Sequence, residues 1–519
     1  MSSSNLEEIT LIAHDWEVAE IDDHIYIYIS GRTVEGKSVC VRVDGFFIFV
    51  YIEFPGYMGQ ITPNQAQKIF YKICSFMGEN QPIGYSLQKK RKIQTNALGY
   101  YLQMKFKCSK DCDIFCYSVV PTSFKNYKIH EQNIDLLIKY TSIRKLDCAG
   151  WIKAISYIPY NFEELEPFSG YDITLYAKWN KIFKVEQKEV IQVKNVIASF
   201  DIECQSINYN SKIPKPEIKG NKIFQIAVTF AHHGDNKENF KPYLLTLYSC
   251  PKIGKSKERD VEVKVLNYES EEDLLLGFME LINRKNPDIL IGYNTHKFDW
   301  PYMITRAQLF GIFRRWSSMS RVDEVDSSEI EIKWSSSAYK EQKFKLLNLP
   351  GIFTLDLMID IERNYKFDSY SLNNISSSLL GLTKKDLSPK QLFVLCDLSI
   401  ALEKYRKKGI SEAEIKEIQN IVGNAISDDQ VVDDDGEFNI LHKTKKAVLE
   451  KLTVENAGEL LGKLTIGYIG KYCVWDTYLP LLIMQKLNTL EGLRQMSNIT
   501  CVPMDWLQLI GQQIKVVSQ

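Results

Sequence analysis

The chain is 519 residues long, too long for one hydrophobic core, so two to four domains are expected. With 45% hydrophobic and 25% charged residues it has a globular composition, which excludes wholesale disorder. A formal net charge of −1 excludes a uniformly basic nucleic-acid coat and leaves any such contact to local patches.

Residues 1–190 read as strand-rich. Residues 25–29 alternate isoleucine and tyrosine, and 38–43 and 46–51 follow as strands, the last apolar enough to be buried on both faces. A helix is predicted over 65–77. Another is predicted from about His130, with Ile134, Leu137, Ile138 and Thr141 on one face. From about Lys194 the pattern changes. Short apolar strands are predicted at 196–200, 223–230, 243–248 and 262–266. Ser270 then opens a helix, with acids in its first turn and an apolar stripe of Leu274, Phe278, Leu281 and Ile282. Residues 288–293 return to strand, and 327–347 alternate as a hairpin. Strand, helix and strand in this order predict an α/β mixed sheet with helices packed on it. Residues 388–465 read as helical and polar with an acidic loop at 427–437, and 466–519 as a last helical block.

Three short stretches carry chemistry. Asp201-Ile202-Glu203 ends a buried strand, where residues two apart project to one face, so the two carboxylates stand together. Their mutual repulsion is relieved by a bound divalent cation, although a D-x-E pair also recurs by chance at solvated strand ends. Asp299 follows the strand and turn Gly292 to Phe298 and starts a helix, a position at which aspartate ordinarily acts as a cap. Asn294 can fix the preceding loop through backbone hydrogen bonds. Tyr472 and Asp476 are four apart in a predicted helix and share a face, which alone describes a surface pair equally well.

Taken in order, the three stretches resemble the first, second and third exonuclease motifs of the B-family DNA polymerases. The flanking words agree: Ser199-Phe200-Asp201-Ile202-Glu203-Cys204, Phe298-Asp299-Trp300-Pro301-Tyr302 and Tyr370-Ser371-Leu372-Asn373. Glu131, Asn133, Gly150 and Trp151 resemble the N-terminal segment of delta-type and large-DNA-virus members, and the final nine residues, GQQIKVVSQ, the stretch before the polymerase core. The resemblance implies an N-terminal domain over 1–190 and a ribonuclease H-like 3′→5′ exonuclease domain over 191–490, interrupted by an insertion at about 388–465. It implies the start of a polymerase domain at 491–519.

The resemblance also implies a site. Asp201, Glu203, Asp299 and Asp476 would bind two ions, and all-oxygen ligands favour Mg²⁺ or Mn²⁺. Tyr472 would orient the attacking water, and Asn294 and Phe298 would shape the pocket for the terminal nucleotide. The implied substrate is the single-stranded 3′ end of a DNA primer, shortened by 5′-nucleoside monophosphates in proofreading. Implied partners are a polymerase core, as a second chain or as downstream sequence, and a sliding clamp. The implied setting is the nucleus or a viral replication site, with no membrane, since no apolar run approaches the roughly 20 residues that span a bilayer. The palm motifs of the family are not found in these residues, so the chain alone is expected not to extend a primer. Lys297 stands where the family often has asparagine. Two other readings stay open: an inactive exonuclease fold that binds DNA or scaffolds, and a free-standing nuclease of the same metal type.

Other signals are weaker. The 11 cysteines are an odd number with no apolar leader before them, which predicts free thiols in a reducing compartment. Cys108, Cys112 and Cys116 are spaced four apart without a second pair to complete a zinc site. Lys89-Lys90-Arg91-Lys92 reads as a solvated basic turn, a nuclear address or a DNA contact. Asp433-Asp434-Asp435-Gly436 is calcium-loop-like but has Val431 at a ligand position.

Overall fold

The apolar runs of the first 190 residues become two sheets in the computed structural model. The structure describes residues 8–54, 61–92, 95–156, 170–186, 193–208, 213–255, 261–336, 340–382, 389–408, 411–417, 420, 453 and 456–510. The acidic loop at 427–437, the calcium-like tetrad and the ending at 511–519 lie outside them. The described residues fall into two units: 8–186 with Arg494–Met504, and 193–493 with 505–510.

In the first unit, β1 (Glu8–Ile21) and β2 (His24–Arg32) form a hairpin across Asp22 and Asp23. Both aspartates have φ near +50°, the left-handed geometry that a two-residue turn needs to match strand twist. With β3 (Ser38–Asp44), β8 (Trp151–Ile155), β9 (Ile173–Lys178) and β10 (Ile182–Lys184) they make a six-stranded sheet ordered β10-β8-β1-β2-β3-β9.

A second sheet has β4 (Ile48–Glu53), β5 (Gly84–Arg91), β6 (Leu98–Phe106) and β7 (Lys128–His130) in the order β5-β6-β4-β7. Helix α1 (Pro63–Met77) links β4 to β5, and α2 (Ser109–Ile114) and α3 (Val120–Ser123) lie between β6 and β7, a split β-α-β plan. Thr62 and Gln65 cap α1 reciprocally and Pro63 stands at its start, where no N–H is missed. Val50, Ile52, Leu102 and Met104 pack with Ala66, Ile73, Phe115 and Val120 under these helices.

The helix expected from His130 begins later. His130 ends β7, and α4 (Leu136–Arg144) starts behind Asp135, whose carboxylate accepts from the Leu137 N–H; Ile134 is exposed. The basic run 89–92 is engaged locally. Lys90 lies 3.8 Å from the Tyr51 ring centre and 3.5 Å from Glu131, Arg91 bonds Asn96, and Lys92 reaches Glu53 at 2.5 Å. Cys108, Cys112 and Cys116 are buried free thiols, and no described third ligand joins Cys112 and Cys116.

The second unit holds the mixed sheet expected. Its strands β11 (Val196–Cys204), β12 (Ile223–His232), β13 (Lys241–Leu247), β14 (Lys264–Tyr268), β15 (Ile289–Gly292) and β18 (Phe353–Asp356) are ordered β14-β13-β12-β11-β15-β18. The pairs β11–β12 and β12–β13 are antiparallel; β13–β14, β11–β15 and β15–β18 are parallel. The predicted hairpin is the ribbon β16 (Ser328–Ser336) and β17 (Lys340–Asn348).

Helices α5 (Glu271–Lys285) and α6 (Asp299–Leu309) cover one face, where Phe200 packs on Phe278 and Trp300. Ser270 caps α5 by accepting from the Asp273 N–H, as its sequence predicts. Later helices are α7 (Phe313–Trp316), α8 (Leu357–Asn364), α9 (Leu372–Leu380), α10 (Pro389–Lys408), α11 (Ala457–Leu464), α12 (Ile466–Leu487), α13 (Thr489–Thr500) and α14 (Met504–Leu509). No helix among the described residues is long and apolar enough to cross a membrane.

Candidate metal centre

Strand parity decides where the first two carboxylates point. Asp201 pairs with Ala227 and Glu203 with Gln225, so both share the face of Gln225 and Thr229, opposite Phe200. That face is covered by α12. Thr477 and Thr229 share a hydroxyl bond at 2.6 Å, and the Gln225 amide donates to the Ile466 carbonyl at 2.9 Å. Gly470 lets helix and sheet approach: a Cβ there would meet Leu244 Cδ2 at 2.4 Å.

The helix therefore brings Cys473 onto the strand, its Sγ 3.7 Å from the Asp201 carbonyl and 3.8 Å from Asp201 Oδ2. One ligand atom each from Asp201, Glu203 and Cys473 lie within 4.8 Å of one another. Burial first, and then the charges of Asp201, Glu203 and Asp476, push the Cys473 thiol well above its usual range. The carboxylates are the hard oxygen donors of the set.

Asp299 arrives from the other side. Strand β15 ends at Gly292, where a Cβ would strike Thr295 Cγ2 at 2.3 Å and the Phe200 carbonyl at 2.9 Å. Asn294 turns the chain with φ +65°, and its carbonyl accepts from the N–H groups of Lys297 and Phe298. The alternative reading of Asp299, as a helix cap, is not the role its carboxylate performs. Phe298 occupies the cap position without a side-chain bond, while Asp299 Oδ1 accepts from the backbone N–H of Ile202 at 3.2 Å. Asp299 is thus bonded to the residue between Asp201 and Glu203. Burial, then the Asp356 charge, and more weakly that of Asp476, push its carboxyl up to about 8, against the N–H bonds that favour its charge.

Of the residues singled out from sequence, Asp201, Glu203 and Asp299 meet at one strand end. Asp476, itself 7% exposed, acts electrostatically on Asp299 and Cys473. Asp299 and Asp476 do not join the tightest trio. Tyr472, half-buried, lies one helical turn before Asp476. Asn294 and Phe298 are half-buried on the turn, and the Phe298 ring rests on Tyr302 at 5.7 Å. Lys297 lies 3.5 Å from Glu362.

Sequence reasoning missed Cys473 and Asp356. Asp356 is fully buried at the end of β18, and burial pushes its carboxyl up to about 6. A signal for it existed, since it ends the apolar run Phe353-Thr354-Leu355 and precedes a helix, much as Asp201 closes its own run. Two buried acids elsewhere in this unit have cations. Arg306 holds Glu271 with two bonds, of 2.6 and 2.8 Å, and Arg321 holds Asp288 at 2.8 Å. The charges acting on Asp299 are carboxylates, and a divalent ion fits such an oxygen set.

Residues 127–375 match the family model for the exonuclease domain of DNA polymerase family B. DNA polymerase 120R of Invertebrate iridescent virus 3 is 28% identical over 98% of this chain and 41% of its own length. The DNA polymerase delta catalytic subunit of Candida albicans is 26% identical over 99% of this chain and 42% of its own. The structure of the family B DNA polymerase from the archaeon Pyrobaculum calidifontis superposes with a TM-score of 0.60 at 12% identity, over 98% of this chain and 49% of that one, which speaks to fold alone. The chain spans less than half the length of these relatives.

Proposed function

For a chain whose residues 127–375 match the family B exonuclease model and whose relatives named above are DNA polymerases, we propose proofreading: removal of nucleotides from the 3′ end of single-stranded DNA. The observation that carries the reading is the bond from the Ile202 N–H to Asp299, which ties the turn's acid between Asp201 and Glu203. Residues 1–190 would form the N-terminal domain, 191–490 the exonuclease with its insertion at 388–465, and 491–519 the approach to a polymerase core.

Asp201, Glu203, Asp299 and Asp476 would hold two Mg²⁺ or Mn²⁺ ions. When bound, such ions make water nucleophilic at neutral pH and neutralise charge on a phosphate. The chain's own residues supply the rest. Tyr472, with its ring half-exposed on α12, orients the attacking water through its hydroxyl. Asn294 and Phe298, on the turn before Asp299, bracket the terminal nucleotide. A mispaired end unstacks at lower cost, so it reaches this pocket more often. The partners on this reading are a primer end, a polymerase core on a second chain or downstream, and a sliding clamp. The setting is a nucleus or a viral replication site.

The test uses 5′-labelled single-stranded DNA with Mg²⁺, comparing the parent with an Asp201→Ala, Glu203→Ala double variant. Laddering by the parent is expected, with loss on the order of 10³-fold or more in the variant. DNA binding without cleavage by either protein would point to the scaffolding alternative. RNA cut as readily as DNA would point to a free-standing nuclease.

A further inference from the structure

Asp356 is as deeply buried as any ligand proposed above, yet it is not one of the four. Its register partner is Gly292, so it stands where β15 gives way to the turn 293–298. There Oδ1 accepts from the N–H of Asn294 at 2.8 Å and of Met358 at 3.0 Å, while Oδ2 accepts from the His296 N–H at 3.0 Å. One carboxylate caps α8 and also holds two N–H groups of the turn that delivers Asp299. Asn294 in particular sits in the left-handed region, which asparagine tolerates better than most residues.

Asp356 is itself gripped. Gln508 of α14, 1% exposed, accepts from the Asp356 N–H at 3.2 Å and donates to the Asp356 carbonyl at 3.4 Å. Two more bonds fasten the same short helix nearby: Arg363 of α8 donates to the Leu507 carbonyl at 2.6 Å, and Trp334 of β16 to the Leu509 carbonyl at 2.8 Å. A helix cap needs one acceptor. Three accepted N–H bonds and an amide clamp on the same residue are a larger investment at one buried point.

We infer that Asp356 is a positioning residue for the second-motif turn, and through it for Asp299, and that Gln508 ties this setting to α14. The kinetic consequence rests on the nuclease reading above; the geometry does not. A shift of α14 drags the backbone of Asp356, its carboxylate carries the N–H groups of Asn294 and His296 along, and Asp299 then loses its register against Ile202. Misplacement of a reacting group by about 1 Å can cost about 10²-fold in rate.

Two variants test this. Asp356→Asn keeps the shape but points an NH₂ at a backbone N–H that needs an acceptor. Gln508→Ala frees the Asp356 backbone from α14, which Arg363 and Trp334 still hold, and leaves the carboxylate in place. Cleavage of 5′-labelled single-stranded DNA gives kcat and KM, and hydrogen exchange reads the amides of Asn294 and His296. Asp356→Asn is expected to lower kcat about 10- to 100-fold with KM within about threefold, and Gln508→Ala to lower it about 3- to 10-fold. Exchange at both amides rises at least about tenfold in each. Parental kcat in both folded variants overturns the inference, as do freely exchanging amides in the parent. So does a fall in kcat matched by an equal rise in KM or by a collapse in melting temperature, which marks general loosening. Should Asp356→Asn fail to fold, Gln508→Ala decides on the same two readouts. A parent without nuclease activity sinks the proofreading reading instead, and exchange alone then decides the clasp.

Discussion

Glu53 in the first unit and Asp299 in the second are both strand-end or turn acids, and their surroundings are opposite. Glu53 is a quarter exposed and takes Lys92 at 2.5 Å and His130 at 2.8 Å. Burial alone pushes its carboxyl up, but the hydrogen bonds from Lys92 and His130 outweigh this and hold it below its usual range. Asp299 is fully buried, and the charges that act on it are further carboxylates. An acid among cations is complete within the fold. An acid among acids has a standing deficit of positive charge, and that deficit is the physical mark of a cation site. The two histidines repeat the contrast. His130 hydrogen-bonds Glu53 through Nε2 at 2.8 Å, whereas His296 is 1% exposed and, among the described residues, neither of its ring nitrogens has a hydrogen-bond partner.

The strongest way to break the comparison is to add the missing charge. Mn²⁺ at about 100 times its dissociation constant should stabilise the second unit by about 2.7 kcal/mol, a rise in melting temperature of roughly 4 °C. The Asp201→Ala, Glu203→Ala variant should show no such rise. It should melt no lower than the parent without metal, since the removed groups repel their neighbours. Equal shifts in both proteins would mean that the acid cluster is not what the ion recognises.

A smaller effect separates the histidines. Burial holds His296 neutral, down to about 3 from an ordinary 6.5. The unfolded chain therefore binds a proton that the folded one does not, so the native state keeps this stability in full above 6.5. It loses roughly 1.4 kcal/mol for each pH unit below that, until the folded value is reached. Denaturant melts at about pH 7 and about pH 5.5 should differ more for the parent than for His296→Phe, by about 1.4 kcal/mol. An unchanged pH slope in the variant would show that the imidazole reaches water in the native state.

Much of this was legible in the sequence, and the reasons for the rest are physical. Asp201 and Glu203 announce themselves because a buried strand has a fixed two-residue period, so one apolar run specifies the face of both acids. The Ser270 cap was legible because its bond is local. Asp299 was read as the start of a helix, which it is, but its bond to Ile202 joins residues 97 apart and no local rule supplies it. Asp356 was missed for the same reason: its partners Asn294, His296 and Gln508 come from segments 60 to 152 residues away. The helix placed too early at His130 shows the converse error. Ile134 fits the helical period but is exposed, and Asp135 sets the start through its bond to Leu137. The basic run at 89–92 could not be resolved by composition, since its fate depends on Tyr51, Glu53 and Glu131 on neighbouring segments.

The finest test asks how little the paired acid contributes. Glu53 lies in solvent reach, and both its partners are more than a third exposed, so water and salt screen most of the attraction. Glu53→Gln should therefore cost only about 0.2–1 kcal/mol at neutral pH, well below the metal effect in the other unit. The sign of its pH dependence follows from the lowered carboxyl. The contribution is present above the ordinary 4.5 and is lost as pH falls through the lower folded value, so parent and variant should converge in acid. At 1 M salt, where the screening length is about 3 Å, the difference should shrink further. A cost several times larger, insensitive to salt, would mean that Glu53 is bound as tightly into its unit as Asp356 is into the other, and the contrast between a completed acid and an acid awaiting a cation would have to be drawn elsewhere.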